Sequence, residues 1–225
     1  MVAELRGHGD PSLLLPAESA YLGRSVPKRA REFAAGRLCA RLALAELGIL
    51  DFPIEVAADR QPLWPRSVVG SITHTDGFCA AVVAERQHIA AIGMDSEAAA
   101  SVKPELWASI CVADEIRWLS SLPEAQRPAA ATLVFSAKEA FYKCQYPLTK
   151  QSLGFHDARV QISSWGAQRG TFRIAPKRGV AFADHAALPM SGEYLFHEQF
   201  VTAALCLSAA ASSGQAPREQ APGDQ

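Results

Sequence analysis

The chain has 225 residues, with 22 Lys and Arg against 23 Asp and Glu and a formal charge of -1, so no global field favours nucleic acid or an anionic membrane and any basic site has to be local. No apolar run approaches the roughly 20 residues of a membrane span, and the opening "MVAELRGHGD" lacks the charged start and apolar middle of a signal peptide, which predicts a cytoplasmic protein without a membrane partner. Five scattered cysteines with no C-x-x-C pair exclude a disulfide framework and a structural zinc site and predict buried free thiols, while the length allows one large domain or two small lobes.

The first strong helix is "SVPKRAREFAAGRLCARLALAELG". Ser25 can cap it, Pro27 suits its first turn and Gly48 can end it. Its expected apolar face is Phe33, Ala34, Leu38, Leu42 and Ala45; Arg29, Arg37 and Arg41 fall on another face as one wide basic stripe, either an anion site or a solvated surface. A Pro-punctuated loop, "RQPLWP", leads to the apolar "VVGSI" and then to "FCAAVVAERQHIAAIGMD", two strand-like runs joined by a polar turn that read as a hairpin. The segment 101–147 reads as helices broken at Pro123 and Pro128 and stopped by Pro147. "DARVQISSW", "TFRIAP" and "GEYLFHEQFVTAALCLS" return to strand patterns, and "SSGQAPREQAPGDQ" is too poor in apolar side chains to repay ordering, so it is expected to be disordered. The fold class is α+β, with a possible duplication but no clear internal repeat.

The strand ending in "GMDSE" raises a physical question. Extended backbone points Asp95 and Glu97 the same way and Ser96 the other, so two like charges sit side by side. A basic side chain or a divalent cation is expected to offset them. In "FSAKEAFYK", Glu139 and Lys143 share a helix face at i and i+4, with Lys138 on the flank, and His74 sits in "GSITHTDG". Alone, each has an ordinary structural reading. Together they supply hard oxygen ligands and phosphate donors, an inventory that fits a diphosphate-containing substrate with Mg²⁺, or Mn²⁺ on the same oxygen set.

These residues carry a resemblance. Gly93, Asp95 and Glu97 match the pattern G-x-D-x-E; Phe135, Ser136, Lys138, Glu139, Ala140 and Lys143 match F/W-S/C-x-K-E-A/S-x-x-K, about 40 residues on. The chain thereby resembles the surfactin-type 4'-phosphopantetheinyl transferases, in the branch of enterobactin-synthesis enzymes and actinomycete carrier-protein activators. "KRAREFAAGRLCARLAL", "RQPLWP", "VVGSITHTDGFCAAVV" and "YPLTKQSLGFHDA" extend the likeness over roughly residues 20 to 208.

The resemblance implies a transferase that moves the phosphopantetheine arm of coenzyme A to a serine of an apo acyl or peptidyl carrier protein, releasing adenosine 3',5'-bisphosphate. The carriers could serve fatty acid, polyketide, nonribosomal peptide or siderophore synthesis. It implies metal ligands at Asp95, Glu97 and Glu139, a catalytic base at Glu139 and stabilisation of the leaving phosphate by Lys143. Coenzyme A contacts are implied at Arg29, Arg37, Arg60, Gln61, Thr73, His74, Lys138 and Lys143. It also implies a monomer of two pseudo-symmetric lobes with the active site between them: residues 1–94, residues 95–208, and a disordered tail at 209–225. A metal-dependent coenzyme A or nucleotide diphosphate hydrolase and a non-catalytic carrier-binding module are the alternatives.

Overall fold

Two long helices, each laid on its own antiparallel sheet, supply with the strands they cover most of the buried apolar side chains. The computed structural model describes residues 1–23, 25–176 and 190–209, so the tail expected to be disordered lies, from residue 210 on, outside the described residues. The first sheet has the order β1 (Val2–Arg6), β3 (Phe78–Glu85), β2 (Val68–Thr75), and carries α2 (Pro27–Ala45), which follows a short α1 (Pro16–Ser19). The second has the order β4 (Ile89–Ala98), β8 (Phe200–Ser208), β7 (Met190–His197), β6 (Arg169–Pro176), β5 (Ala158–Ile162). Against it lie α4 (Ala113–Ser121) and the long α5 (Arg127–Thr149), with the short α3 (Trp107–Ile110) adding Ile110 and Trp107 to the same core.

The hairpin expected over residues 78–95 does not form. β3 is the central strand of the first sheet, with β1 on one edge and β2 on the other, and its true hairpin partner is β2 across Asp76 and Gly77, whose φ of 76° suits glycine. Its unbroken apolar run has a physical reason. Cys79, Ala81 and Val83 face α2, whereas Phe78, Ala80 and Val82 meet Met94 of β4 and Phe200 of β8, so both faces are covered. β4 pairs instead with β8, more than 100 residues on, and the division expected between residues 94 and 95 falls inside β4.

The face of α2 also differs from expectation. Leu42 is exposed and Leu38 only half-buried, while Ala35, Cys39, Ala40, Ala43 and Leu44 pack on the sheet. Small side chains let the helix approach closely, and bulk alone misidentified the face. Val26 rather than Ser25 occupies the cap position; the Ser25 hydroxyl donates to the Leu22 carbonyl. Pro128 starts α5, where no donor is needed, and Pro147 is accommodated in its exposed last turns, the helix ending at Lys150 with φ of 54°. "GEYLFHEQFVTAALCLS" is two strands, β7 and β8, not one. Four cysteines are buried free thiols, but Cys206 is exposed on β8.

Polar side chains join the sheets where no backbone ladder does. The Ser71 hydroxyl accepts from Met94 N at 3.1 Å and donates to Met94 O at 3.3 Å, and the Thr73 hydroxyl accepts from Ser96 N at 2.8 Å. On its other side β4 touches α5 backbone to backbone at Gly93, where a Cβ would run into the Ala140 carbonyl and lie 2.7 Å from Cys144 N. Gly93→Ala is therefore expected to cost about 3 kcal/mol, lowering the melting temperature by roughly 6–12 °C. Gly36→Ala, whose Cβ would meet side chains alone, Ile72 at 3.0 Å and Cys79 at 4.0 Å, should cost far less. Thermal denaturation of both variants checks this, and equal melting temperatures would contradict the close contact.

Candidate active site

β4 delivers its carboxylates into this contact. Asp95 is 4% exposed; its Oδ1 accepts from Lys143 Nζ at 2.7 Å and from the Thr73 hydroxyl at 3.3 Å, and its Oδ2 is buried with no hydrogen-bond partner among the described residues. Ser96 turns the other way, its hydroxyl 2.7 Å from that of Thr202 on β8. Lys143 also donates to Met94 O at 3.3 Å, and the Ser136 hydroxyl donates to Asp95 O at 2.9 Å, so α5 grips β4 at the two residues that follow Gly93. The basic side chain that answers the paired carboxylates is Lys143.

One ammonium does not neutralise three carboxylates. Burial pushes the Glu97 carboxyl up to about 7; the Asp95 charge and, less strongly, Glu139 act the same way, with Lys143 opposing them. Burial likewise raises Glu139, with Lys143 opposing and Asp95 adding to the shift. These groups share one field that is short of positive charge. No set of three His, Cys, Asp or Glu side chains among the described residues is placed to close on a metal ion by itself. Mg²⁺ needs no such cage: it usually takes one or two protein carboxylates and completes its octahedron with water and substrate phosphates. The unpartnered Asp95 Oδ2 and the elevated carboxyls fit a divalent cation on those terms.

A cleft of about 1150 Å³ runs past this cluster. Arg29, Arg37 and His74 line it from α2 and β2, Arg60 and Gln61 from the loop before β2, and Glu139 and Lys143 from α5. Arg37 is held rigidly. Its Nε donates to Ile54 O at 2.7 Å and its guanidinium lies 4.2 Å from the Phe33 ring centre, while burial lowers its pKa to about 10 against the opposing charge of Glu18. His74 Nε2 lies 3.3 Å from Arg29 and 3.5 Å from Glu32; burial pulls its pKa down, with Glu32 opposing and Arg29 assisting. Gln61 binds the Asp59 carboxylate through its side chain at 2.6 Å and its backbone N–H at 3.3 Å.

Three expected members stand elsewhere. Arg41 leaves the basic stripe to pair with the buried Glu18 and to donate to Leu13 O at 2.6 Å. Thr73 is fully buried, its hydroxyl spent on Asp95 and Ser96 N, so it orients a carboxylate rather than lining the cleft. Lys138 is 3% exposed and spends all three ammonium hydrogens on Ile110 O, Glu115 and Phe155 O, turned away from the cleft. Sequence reasoning missed Tyr142 and Tyr146, which stack at 5.2 Å along α5 and line the cleft, and the Lys150–Asp59 bridge at 3.2 Å. The i, i+4 tyrosines beside Lys143 were a readable signal; the bridge, spanning two distant segments, was not.

Comparison with known proteins gives a consistent result. Residues 17–84 match a family model described as the 4'-phosphopantetheinyl transferase N-terminal domain, and residues 91–203 match that of the 4'-phosphopantetheinyl transferase superfamily. The chain is 41% identical to 4'-phosphopantetheinyl transferase Npt of Nocardia iowensis over 75% of its length and 76% of that protein. It is 36% identical to 4'-phosphopantetheinyl transferase Svp of Streptomyces mobaraensis over 94% and 86%, and 38% identical to enterobactin synthase component D of Escherichia coli (strain K12) over 71% and 74%.

The charge deficit makes a pH prediction. With a folded pKa of about 7 against an ordinary 4.5, Glu97 holds its proton in the folded state where the unfolded chain has released it, so metal-free stability falls as pH rises from about 5 to 7. Glu139 contributes in the same direction. Melting temperatures in chelator should decline across that window, less steeply for Glu97→Gln; an unchanged slope in the variant would refute the shared field.

Proposed function

The chain belongs to the 4'-phosphopantetheinyl transferase superfamily and is an enzyme of that class with coenzyme A as substrate, and from that premise we propose how its cleft carries out the transfer. The acceptor is a serine of an apo acyl or peptidyl carrier protein, and the second product is adenosine 3',5'-bisphosphate. The observation that carries this reading is the single cleft lined from α2 by Arg29 and Arg37 and from α5 by Glu139 and Lys143, with Asp95 bonded to Lys143.

Arg29, Arg37 and His74 bind the phosphates of coenzyme A, and Arg60 with Gln61 borders the nucleoside end. Charge-assisted hydrogen bonds from a guanidinium fixed by Ile54 and Phe33 cost little ordering when the anion arrives. Asp95 and Glu97, with Glu139 beside them, would hold Mg²⁺; when bound, it neutralises the diphosphate and lowers the barrier to breaking it. Glu139, made more basic by burial, accepts the serine proton directly or through one water. The serine oxygen forms its bond to phosphorus as the bridging pyrophosphate bond breaks, and Lys143 stabilises the charge left on the departing phosphate. Thr73 and Ser136 fix the strand that carries Asp95.

We further read the chain as a cytoplasmic monomer acting without nucleic acid or membrane, built of two lobes that divide before β4 rather than at residues 94 and 95, because the whole of β4 belongs to the second sheet; no helix among the described residues is long and apolar enough to cross a membrane.

Incubation with coenzyme A, Mg²⁺ and a panel of apo carriers should add the mass of one phosphopantetheine to a carrier. Release of adenosine bisphosphate without that gain would make the protein a hydrolase, and neither product would leave a binding module. Because Lys143 acts on charge that develops late, Lys143→Met should lower kcat by at least about 100-fold while leaving the KM for coenzyme A within about threefold. A loss of kcat below about threefold would reduce Lys143 to a partner of Asp95.

A further inference from the structure

Lys138 sits one residue before Glu139 yet plays no part in the cleft, and its surroundings give it a different task. Lys138 and Glu115 form an ion pair at 2.7 Å with side chains 2% and 1% exposed. The ammonium donates to Ile110 O and Phe155 O at 2.8 Å each, and the Glu115 carboxylate accepts from Val112 N at 2.7 Å and Val160 N at 2.6 Å. Every hydrogen of the cation and both oxygens of the anion are engaged. Five segments meet at this pair: the end of α3, the first turn of α4, the turn before β5, β5 itself, and α5.

We infer that the Lys138–Glu115 pair is a positioning device for the transfer reaction, setting the rotation and axial register of α5 so that Glu139 and Lys143 meet the carboxylates of β4. Successive helical residues lie about 100° apart, so an anchor at Lys138 fixes the direction of Glu139 and, one turn on, of Lys143. β4 grips α5 through Ser136, Lys143 and the contact at Gly93; the ion pair holds the helix from another side. Apolar packing also constrains the helix, through the buried Leu133, Val134 and Phe141, but around Glu139 the buried neighbours Ala137 and Ala140 are small. Hydrogen bonds from Lys138 to two fixed carbonyls supply a directional constraint there that contacts of small apolar side chains lack. The inference rests on the roles proposed above for Glu139 and Lys143.

The test separates positioning from stability. Breaking a buried pair on one side strands a charge, whereas replacing both partners by neutral groups of similar size is often well tolerated. Lys138→Met and Glu115→Gln are each expected to lower the melting temperature by roughly 10 °C, and the double variant, with no stranded charge but with Ile110 O and Phe155 O still short of a donor, to recover part of that loss. If the pair positions α5, the partly recovered double variant still turns over at least about tenfold more slowly than the wild type, with the KM for coenzyme A within about threefold. Amide hydrogen exchange in residues 136–146 of the double variant, measured without substrates, should also be faster than in the wild type. Return of kcat to within twofold of wild type, or unchanged exchange in that segment, would overturn the inference and leave the pair a stabilising contact only. Should the wild-type chain transfer nothing to any carrier, the roles of Glu139 and Lys143 fail, and the exchange measurement alone decides whether the pair fixes α5.

Discussion

Strand β4 and helix α5 touch at Gly93, and the rest of the active site depends on how closely they do so. Because no side chain separates them there, the hydrogen bonds from Ser136 and Lys143 reach β4 directly, and Asp95 ends up 2.7 Å from the Lys143 ammonium. β2 also adjoins β4, joined through the hydroxyls of Ser71 and Thr73. A strand held by hydroxyls on one edge, by β8 on the other and by helix backbone on one face has little freedom, which suits a place where like charges are kept together.

The electrostatic consequence follows from counting. Asp95, Glu97 and Glu139 bring up to three negative charges and Lys143 one positive, in surroundings that penalise charge. Such a cluster is costly when empty and favours a ligand set that brings cations and shared oxygens. Across the cleft the balance is reversed: Arg29, Arg37 and Arg60 invite phosphates. A diphosphate with a divalent cation satisfies both walls at once, so its affinity for each wall reinforces the other.

Much of this was legible in the sequence. Period-two alternation put Asp95 and Glu97 on one side and Ser96 on the other, and the i, i+4 spacing brought Glu139 and Lys143 to one face; both follow from local geometry, which a sequence states directly. What failed was non-local. A polar turn between apolar runs signals a hairpin, but β3 already had β1 and β2, so β4 paired with β8. Leu38 and Leu42 outrank alanine in hydrophobicity, yet close packing of α2 on its sheet favoured Ala35, Cys39, Ala40 and Ala43. Lys138 and Lys143 are the same residue type on one helix; their different fates are set by Glu115 and Asp95, partners 23 and 48 positions away in the chain.

β4 and α5 hold a carboxylate cluster short of positive charge, which a divalent cation together with substrate phosphates would complete. Calorimetric titration of Mg²⁺ into the protein, alone and saturated with coenzyme A, decides whether they act together. The expected result is Mg²⁺ affinity at least about tenfold higher with coenzyme A bound, and loss of that enhancement in Asp95→Asn. Mg²⁺ binding that is indifferent to coenzyme A, or unchanged in Asp95→Asn, would contradict it.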